Sequence, residues 1–485
     1  MNINTLQRQS LLTFGSLAGV TVLGYFSTIY FAHFLGPAIL GSYFLFFAYF
    51  GIFDLLGDGG FGGAAVKRIS EGKEQNEYFT AFIILRLFLL VFSISAFFLV
   101  SFFASQYLIG ISDKQLFYLF IIALIVSTVH SCIGADVYGT TQVGVLQVTS
   151  FINSILKIII QVIAVFLGFG VGGLVTGFIF GMLAAAIINH RFIRLKISVC
   201  TRSHIRGLLS FSVWTFLSSG GVLVFSYADT ILIGYFLSEA DVGIYRVAYQ
   251  LASITSIVVT SFHVTLYPSI SRWHAENNIP MIQQALSKAI TFCFVLAVPI
   301  TVGGTILAER LMYYLYGASF QSGWDVLIIL LLVQVANIFM YLFTMCLNGI
   351  NKPRESFTVT SISALLNIVC NVILIPIFGI AGAAGATLIT ISLNAVLGYV
   401  VLRPEIPLKL EMRSVAHILL SAIFMASIVI CYTWYLGIGS FFNLCACVLI
   451  GAVCYFVVLL KLDTDISHHI YGILTTMKVA IDNET

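Results

Sequence analysis

The amino-acid sequence predicts an all-α, polytopic membrane protein of about fourteen transmembrane helices, built as two parallel-repeat six-helix bundles around a central cavity with a C-terminal helix pair. Three observations lead to that architecture. Of 485 residues, 60% are hydrophobic and 9% charged, against about 25% charged in a typical soluble domain, so a water-soluble fold could not cover itself. Apolar runs of roughly 20 residues, the length that crosses the hydrocarbon core, follow one another along the chain. An ungapped repeat relates the first run to the seventh.

Taken in order, the first six spans are expected at about 11–34, 39–63, 79–105, 116–138, 148–168 and 172–192. The first follows a single basic residue, Arg8, and runs past Tyr30 without the short apolar region and small-residue cleavage site of a signal peptide, so it is expected to persist as a span. A basic hinge extends from Arg191 to Arg206. Six more spans are expected at about 209–236, 242–267, 284–308, 325–349, 356–378 and 381–402, and a final pair at about 414–436 and 440–461. The expected organisation is therefore a first bundle at 1–195, a basic cytoplasmic linker at 196–208, a second bundle at 209–403, and two additional helices with a short cytoplasmic tail at 404–485.

Basic residues near span ends stay on the cytoplasmic side. With the N-terminus inside, 18 of the 23 Lys and Arg, from Arg8 through the hinge to Lys461 and Lys478, fall on that side. Only Lys114, Arg246 and Arg310 fall outside, while Arg86 and Lys157 lie within spans. Both termini are thus expected in the cytoplasm, with the chain in the cell (cytoplasmic or inner) membrane.

The repeat is the main organisational signal. Residues 13–43 laid over 215–245, at a constant offset of 202, give 14 identities in 31 positions, among them Gly19/Gly221, Tyr25/Tyr227, Gly41/Gly243 and Tyr43/Tyr245. A weaker echo pairs the turn Phe169, Gly170, Gly173 with Phe378, Gly379, Gly382. Each repeat has an even number of spans, so both enter the membrane from the same side and are related by an axis along its normal.

Other chemistries find no support. A net charge of +3 is too small to suggest nucleic acid. Eight of the nine cysteines lie in apolar runs, and Cys445 and Cys447 are one residue apart, which is no metal-site spacing. No GxxxxGK[ST] sequence occurs, so ATP hydrolysis by this chain is not expected. No cofactor or metal is expected, and an enzyme would need a polar external loop that the sequence lacks.

Residues 34–72, FLGPAILGSYFLFFAYFGIFDLLGDGGFGGAAVKRISEG, resemble the opening of the polysaccharide-biosynthesis flippases of the O-antigen (Wzx) type, with Leu35, Gly36, Gly41 and Tyr43 at the turn into the second helix. The stretch YADTILIGYF followed by FLSEADVGIYRVAYQ resembles the seventh-helix region of the same family. The resemblance implies membership of the multidrug, oligosaccharidyl-lipid and polysaccharide exporter superfamily, an alternating-access fold, and an undecaprenyl- or dolichyl-linked oligosaccharide as cargo. It makes membrane lipids, and a polysaccharide polymerase or glycosyltransferases of the same pathway, candidate partners. Many members have twelve spans, and the extra pair at 414–461 resembles the fourteen-helix peptidoglycan-precursor flippases.

Charges inside spans are costly and are functional candidates by default. Lys157, mid-span, offers a cation to an anionic lipid diphosphate; a structural pair with an Asp is the alternative. Arg86 and Lys288 occupy equivalent places in the two repeats, near the cytoplasmic mouth, and are further candidates for substrate contact. Asp54 and Asp58, one helical turn apart, could sense a proton or sodium, or neutralise Lys157 or Arg86. Asp229, in the outer half of the seventh span and matched to Ser27, is the preferred coupling or gating residue. Asp136 is expected to be a salt-bridge partner. A drug or small-molecule exporter of the same superfamily is the rival reading, because it would place acids rather than bases in the cavity.

Overall fold

The computed structural model describes residues 3–103, 108, 110–111 and 113–468; Lys478 and the end of the expected third span lie outside them. The helices are α1 (Ile3–Asp58), α2 (Phe61–Ser70), α3 (Gln75–Phe103), α4 (Lys114–Gly139), α5 (Val143–Phe166), α6 (Gly170–His190), α7 (Arg202–Phe236), α8 (Glu239–Ala252), α9 (Ser256–Ala275), α10 (Ile279–Tyr316), α11 (Trp324–Gly349), α12 (Pro353–Leu402), α13 (Met412–Tyr435) and α14 (Phe441–Leu462). Among the described residues, eleven helical stretches are long and apolar enough to cross a membrane, or twelve if Arg202–Gly221 and Phe225–Phe236, bent by 52°, form one span. The chain is a multi-pass membrane protein.

Two of these helices are each two spans in series. At 1.5 Å per residue the 56 residues of α1 would reach about 84 Å, far beyond the ~30 Å hydrocarbon core. Gly36, at φ 74° and ψ 177°, breaks α1, and Pro37 starts the next run. Gly379, at φ 61° and ψ −143°, breaks the 50 residues of α12 in the same way. With both breaks the structure is compatible with the fourteen expected spans. The second expected span is shorter than anticipated: Gly59 and Gly60, at φ 59° and 76°, end α1 at Asp58 and set α2 off as a separate helix.

The chain forms two compact units, Met1–Val247 and Ala248–Thr485. In the first, α1 packs on α3, α5 and α7, while α2 packs on α3, α4 and α7. The α7 helix begins at Arg202, inside the stretch expected as linker, because Thr201 N–H donates to His204 Nδ1 (3.0 Å) at its N-terminus. Close approach to α2 at Gly60 and Gly63, where a side chain would strike Ser212, Thr215 and Phe216, seats α7 in this unit. Phe46, Phe50, Phe53, Phe97 and Phe120 interlock edge to face and stacked in its interior.

In the second unit, Ile282, Leu286 and Ile290 of α10 pack with Leu342, Met345 and Cys346 of α11. The C-terminal pair joins the unit through α10: Tyr455 donates to Val295 O (2.9 Å), and Tyr314 and Arg310 both donate to Ile438 O (2.8 and 3.1 Å). Near the end of α10, Tyr316 is buried at 1% exposure, whereas Tyr313 and, at the start of α11, Trp324 are 42% and 45% exposed.

Candidate functional site

Three of the expected site residues form one cluster in the first unit. Arg86, on α3 and 1% exposed, places Nη2 2.8 Å from Asp54 Oδ1 and Nη1 3.5 Å from Asp58 Oδ1. Its Nη1 also donates to the Asp54 carbonyl (3.2 Å), and Ser127 of α4 donates to Asp54 Oδ1 (2.8 Å). Asp58 in turn accepts the Gly62 amide (3.2 Å) at the start of α2, where the helix dipole favours a carboxylate. Four helices thus converge on one buried cation whose two acids are 32% and 23% exposed. Both acids named as candidate partners of Arg86, Asp54 and Asp58, pair with it.

Lys157 stands in a different setting. It is half-buried in the middle of α5 and makes no ion pair among the described residues. Residues four apart share a helix face, so Lys157 belongs to a polar stripe of Thr149, Asn153, Lys157 and Gln161. The stripe packs on a glycine stripe of α6. Side chains at Gly177 and Gly181 would strike Gln161 and Asn153, and one at Gly181 would come 3.1 Å from Lys157 Cβ. That proximity lets Gln161, 1% exposed, donate to Leu174 O (2.8 Å) and to the Tyr43 hydroxyl (2.7 Å).

Asp229 is 7% exposed and accepts the Tyr245 hydroxyl at 2.6 Å. These two occupy the repeat positions of Ser27 and Tyr43, so the tyrosine that meets Gln161 in the first repeat meets a carboxylate in the second. Lys288 is half-buried on α10 in the second unit. Asp136 corrects the expectation of a salt bridge: it is 0% exposed and accepts the backbone amides of Arg194 and Leu195 at 3.2 and 2.8 Å.

Two further polar groups carry no charge and so lack the signal of a costly intramembrane ion. Gln161 and Asn153 were visible as i ± 4 neighbours of Lys157. In α12, Asn367 donates to Thr390 (3.2 Å) across the Gly379 break and accepts from Asn371 (3.0 Å) one turn along its own segment, all of them buried. Their signal was two amides one turn apart in an apolar run, which need partners inside a membrane. No group of three metal-ligating side chains occurs among the described residues.

A multi-pass helical body, glycine-broken spans and repeat-related polar contacts define a membrane-transporter fold. The chain belongs to the polysaccharide biosynthesis protein family, whose model matches residues 8–274, more than half of it. The MatE family model matches residues 215–373. A probable low-salt glycan biosynthesis flippase of Haloferax volcanii is 29% identical over 90% of this chain and 91% of its own. A probable flippase of the same organism, AglR, is 28% identical over 97% and 98%. Among solved structures, a lipid II flippase in an inward closed conformation shares the fold with a TM-score of 0.74 at 18% identity, covering 93% of this chain and 97% of that one. An inward-facing MATE multidrug resistance transporter gives 0.65 at 16% identity over 82% and 95%.

Proposed function

We propose that this protein is a flippase that moves a polyprenyl-diphosphate-linked oligosaccharide from the cytoplasmic to the outer leaflet by alternating access, for surface polysaccharide or glycan assembly. The observation that carries the reading is Lys157: a mid-span cation with no acidic partner among the described residues, on a polar helix face. An unpaired charge at that depth is costly unless it meets a counter-charge or water, and a lipid diphosphate supplies the counter-charge. Family membership and the two Haloferax relatives support the same cargo class.

In this mechanism the headgroup enters from the cytoplasmic side, the prenyl tail stays in lipid, and Lys157 holds the diphosphate. Lys288 is a second contact from the other repeat. Arg86 acts at the entrance through Asp54 and Asp58, whose pairing with it changes as the bundles rock, and the Asp229–Tyr245 contact couples that motion to ions. Both termini lie in the cytoplasm and the protein sits in the cell membrane, beside the polymerase or glycosyltransferases of its pathway. Transport, not catalysis, is the activity.

The test is deletion in the host and rescue. Loss of surface glycan, with lipid-linked oligosaccharide accumulating on the cytoplasmic face, is expected. Wild type restores export, Lys157→Arg restores part of it, and Lys157→Ala at equal membrane level restores none. An unchanged glycan profile together with new sensitivity to cationic drugs would instead establish the exporter.

A further inference from the structure

Between α6 and α7, residues 193–201 form an irregular strap across the ends of α3 and α4. Its backbone is pinned at four amides. Arg194 and Leu195 donate to the Asp136 carboxylate, Lys196 donates to Asn76 Oδ1 (2.8 Å), and Ser198 donates to Thr80 Oγ1 (2.9 Å). The pins hold the register in which Ile193, Leu195 and Ile197 line a groove of ≈ 340 Å³, with Ile83 and Leu87 of α3 and Val129 and Ile133 of α4 as its walls. Alternate residues of an extended chain point to opposite sides, so Arg194 and Lys196 stand away from the groove, and both are exposed.

The groove opens sideways: Leu87, Val129 and Ile197 are 51%, 47% and 78% exposed. From Asp136, at the strap, to Val129 is about 10 Å along α4. That length is about a third of the ~30 Å thickness of a hydrocarbon core. Above it the charge is unbalanced. Arg191, Arg194, Lys196, Arg202 and Arg206 are exposed and make no ion pair among the described residues. Of the nearby acids, Asp136 is engaged with strap amides, Glu74 with His204 (3.1 Å) and Glu71 with Arg68 (3.1 Å), which leaves Glu77, beside Asn76, as one acid against these five cations.

We propose that this groove is a binding site for an anionic phospholipid, with one acyl chain lying between α3 and α4 beneath the strap and the phosphate at Arg194 and Lys196. A soluble anion has no use for the apolar channel, and a neutral lipid leaves the cations without a counter-charge. An anionic lipid satisfies both, at the depth where strap and channel meet. The site is independent of the cargo and would hold on an exporter as well.

The experiment uses the full chain in vesicles of phosphatidylcholine and phosphatidylglycerol, each lipid in turn carrying a photoreactive acyl chain, with labelled peptides mapped by mass spectrometry. Phosphatidylglycerol is expected to label 83–87 and 129–133 in preference to phosphatidylcholine. The double variant Arg194→Gln, Lys196→Gln leaves the backbone pins in place and should weaken phosphatidylglycerol binding about 30-fold, given the usual contribution of each basic residue at an anionic surface. Ile133→Trp fills the groove and should remove labelling by both lipids there. Label spread evenly over all lipid-facing helices, equal labelling by the two lipids, or a Gln variant that labels like wild type would overturn the proposal.

Discussion

Gly41 and Gly243 meet backbone to backbone through equivalent surfaces. A side chain on Gly41 would overlap the carbonyl of Glu239, and one on Gly243 would overlap the carbonyl of Pro37. Gly41 and Gly243 are the same position of the repeat, and so are Pro37 and Glu239. The contact is therefore reciprocal, as a two-fold relation between repeats requires. Beside it the Ser42 hydroxyl donates to the Glu239 carboxylate. Repeat identities that read as pattern in the sequence are, at this crossing, the residues that touch.

Gly41→Ala and Gly243→Ala should each destabilise the protein by about 1–3 kcal/mol or more, because the obstruction is backbone and cannot rotate away. Gly221→Ala is the control, since a side chain there meets nothing within 4 Å. Thermal unfolding in detergent checks the order. Equal stability of all three variants would contradict the packing.

Gly36 is constrained for a different reason. Nothing lies within 4 Å of a side chain placed there, but φ 74° with ψ 177° belongs to a region open essentially to glycine alone. Gly36→Ala should cost about 1–3 kcal/mol through backbone strain. Asn tolerates the left-handed helical region but not this one, so Gly36→Asn should be no better than Ala. A clear advantage for Asn in the same melts would show that the break relaxes.

Why some features were legible in the sequence follows from these residues. Span α11 at Trp324–Gly349 matches the expected 325–349 because length and apolarity alone define it. The breaks at Gly36 and Gly379 were legible because only glycine serves there. The start of α7 was not, because Thr201 and His204 begin a helix inside a stretch read by its charge. Asp136 was visible as a buried acid, but its partners are amides of a distant strap, which only the folded chain brings to it. Asn367, Thr390 and Gln161 carry no charge, so a search for costly charges does not find them.

Arg86 with its two acids makes a sharper prediction. Removing one side of a buried pair strands the other, at about 3–5 kcal/mol, whereas removing both sides costs much less. Asp54 holds the closer contact, at 2.8 Å, and also takes the Ser127 hydroxyl. Asp54→Asn should therefore be more damaging than Asp58→Asn. Arg86→Gln combined with Asp54→Asn should be more stable than Arg86→Gln alone. Additive losses in a double-mutant cycle would mean that the pair is not coupled.

The pH dependence of the C-terminal pair turns on Asp463, just beyond α14 and 4% exposed. Burial pushes its carboxyl up, but the Ile466 amide, Ser414 and His417 together outweigh it and hold the group below the usual carboxylate value. His417 Nδ1 lies 3.0 Å from Oδ2 and ties the start of α13 to the end of α14. A carboxyl depressed in the folded state contributes stability that is complete above its unfolded pKa. That contribution is lost as pH falls through the folded value. The melting temperature gap between wild type and Asp463→Asn should thus shrink as pH falls below about pH 4. A gap that persists unchanged to about pH 2 would mean that Asp463 acts through shape and not through its charge.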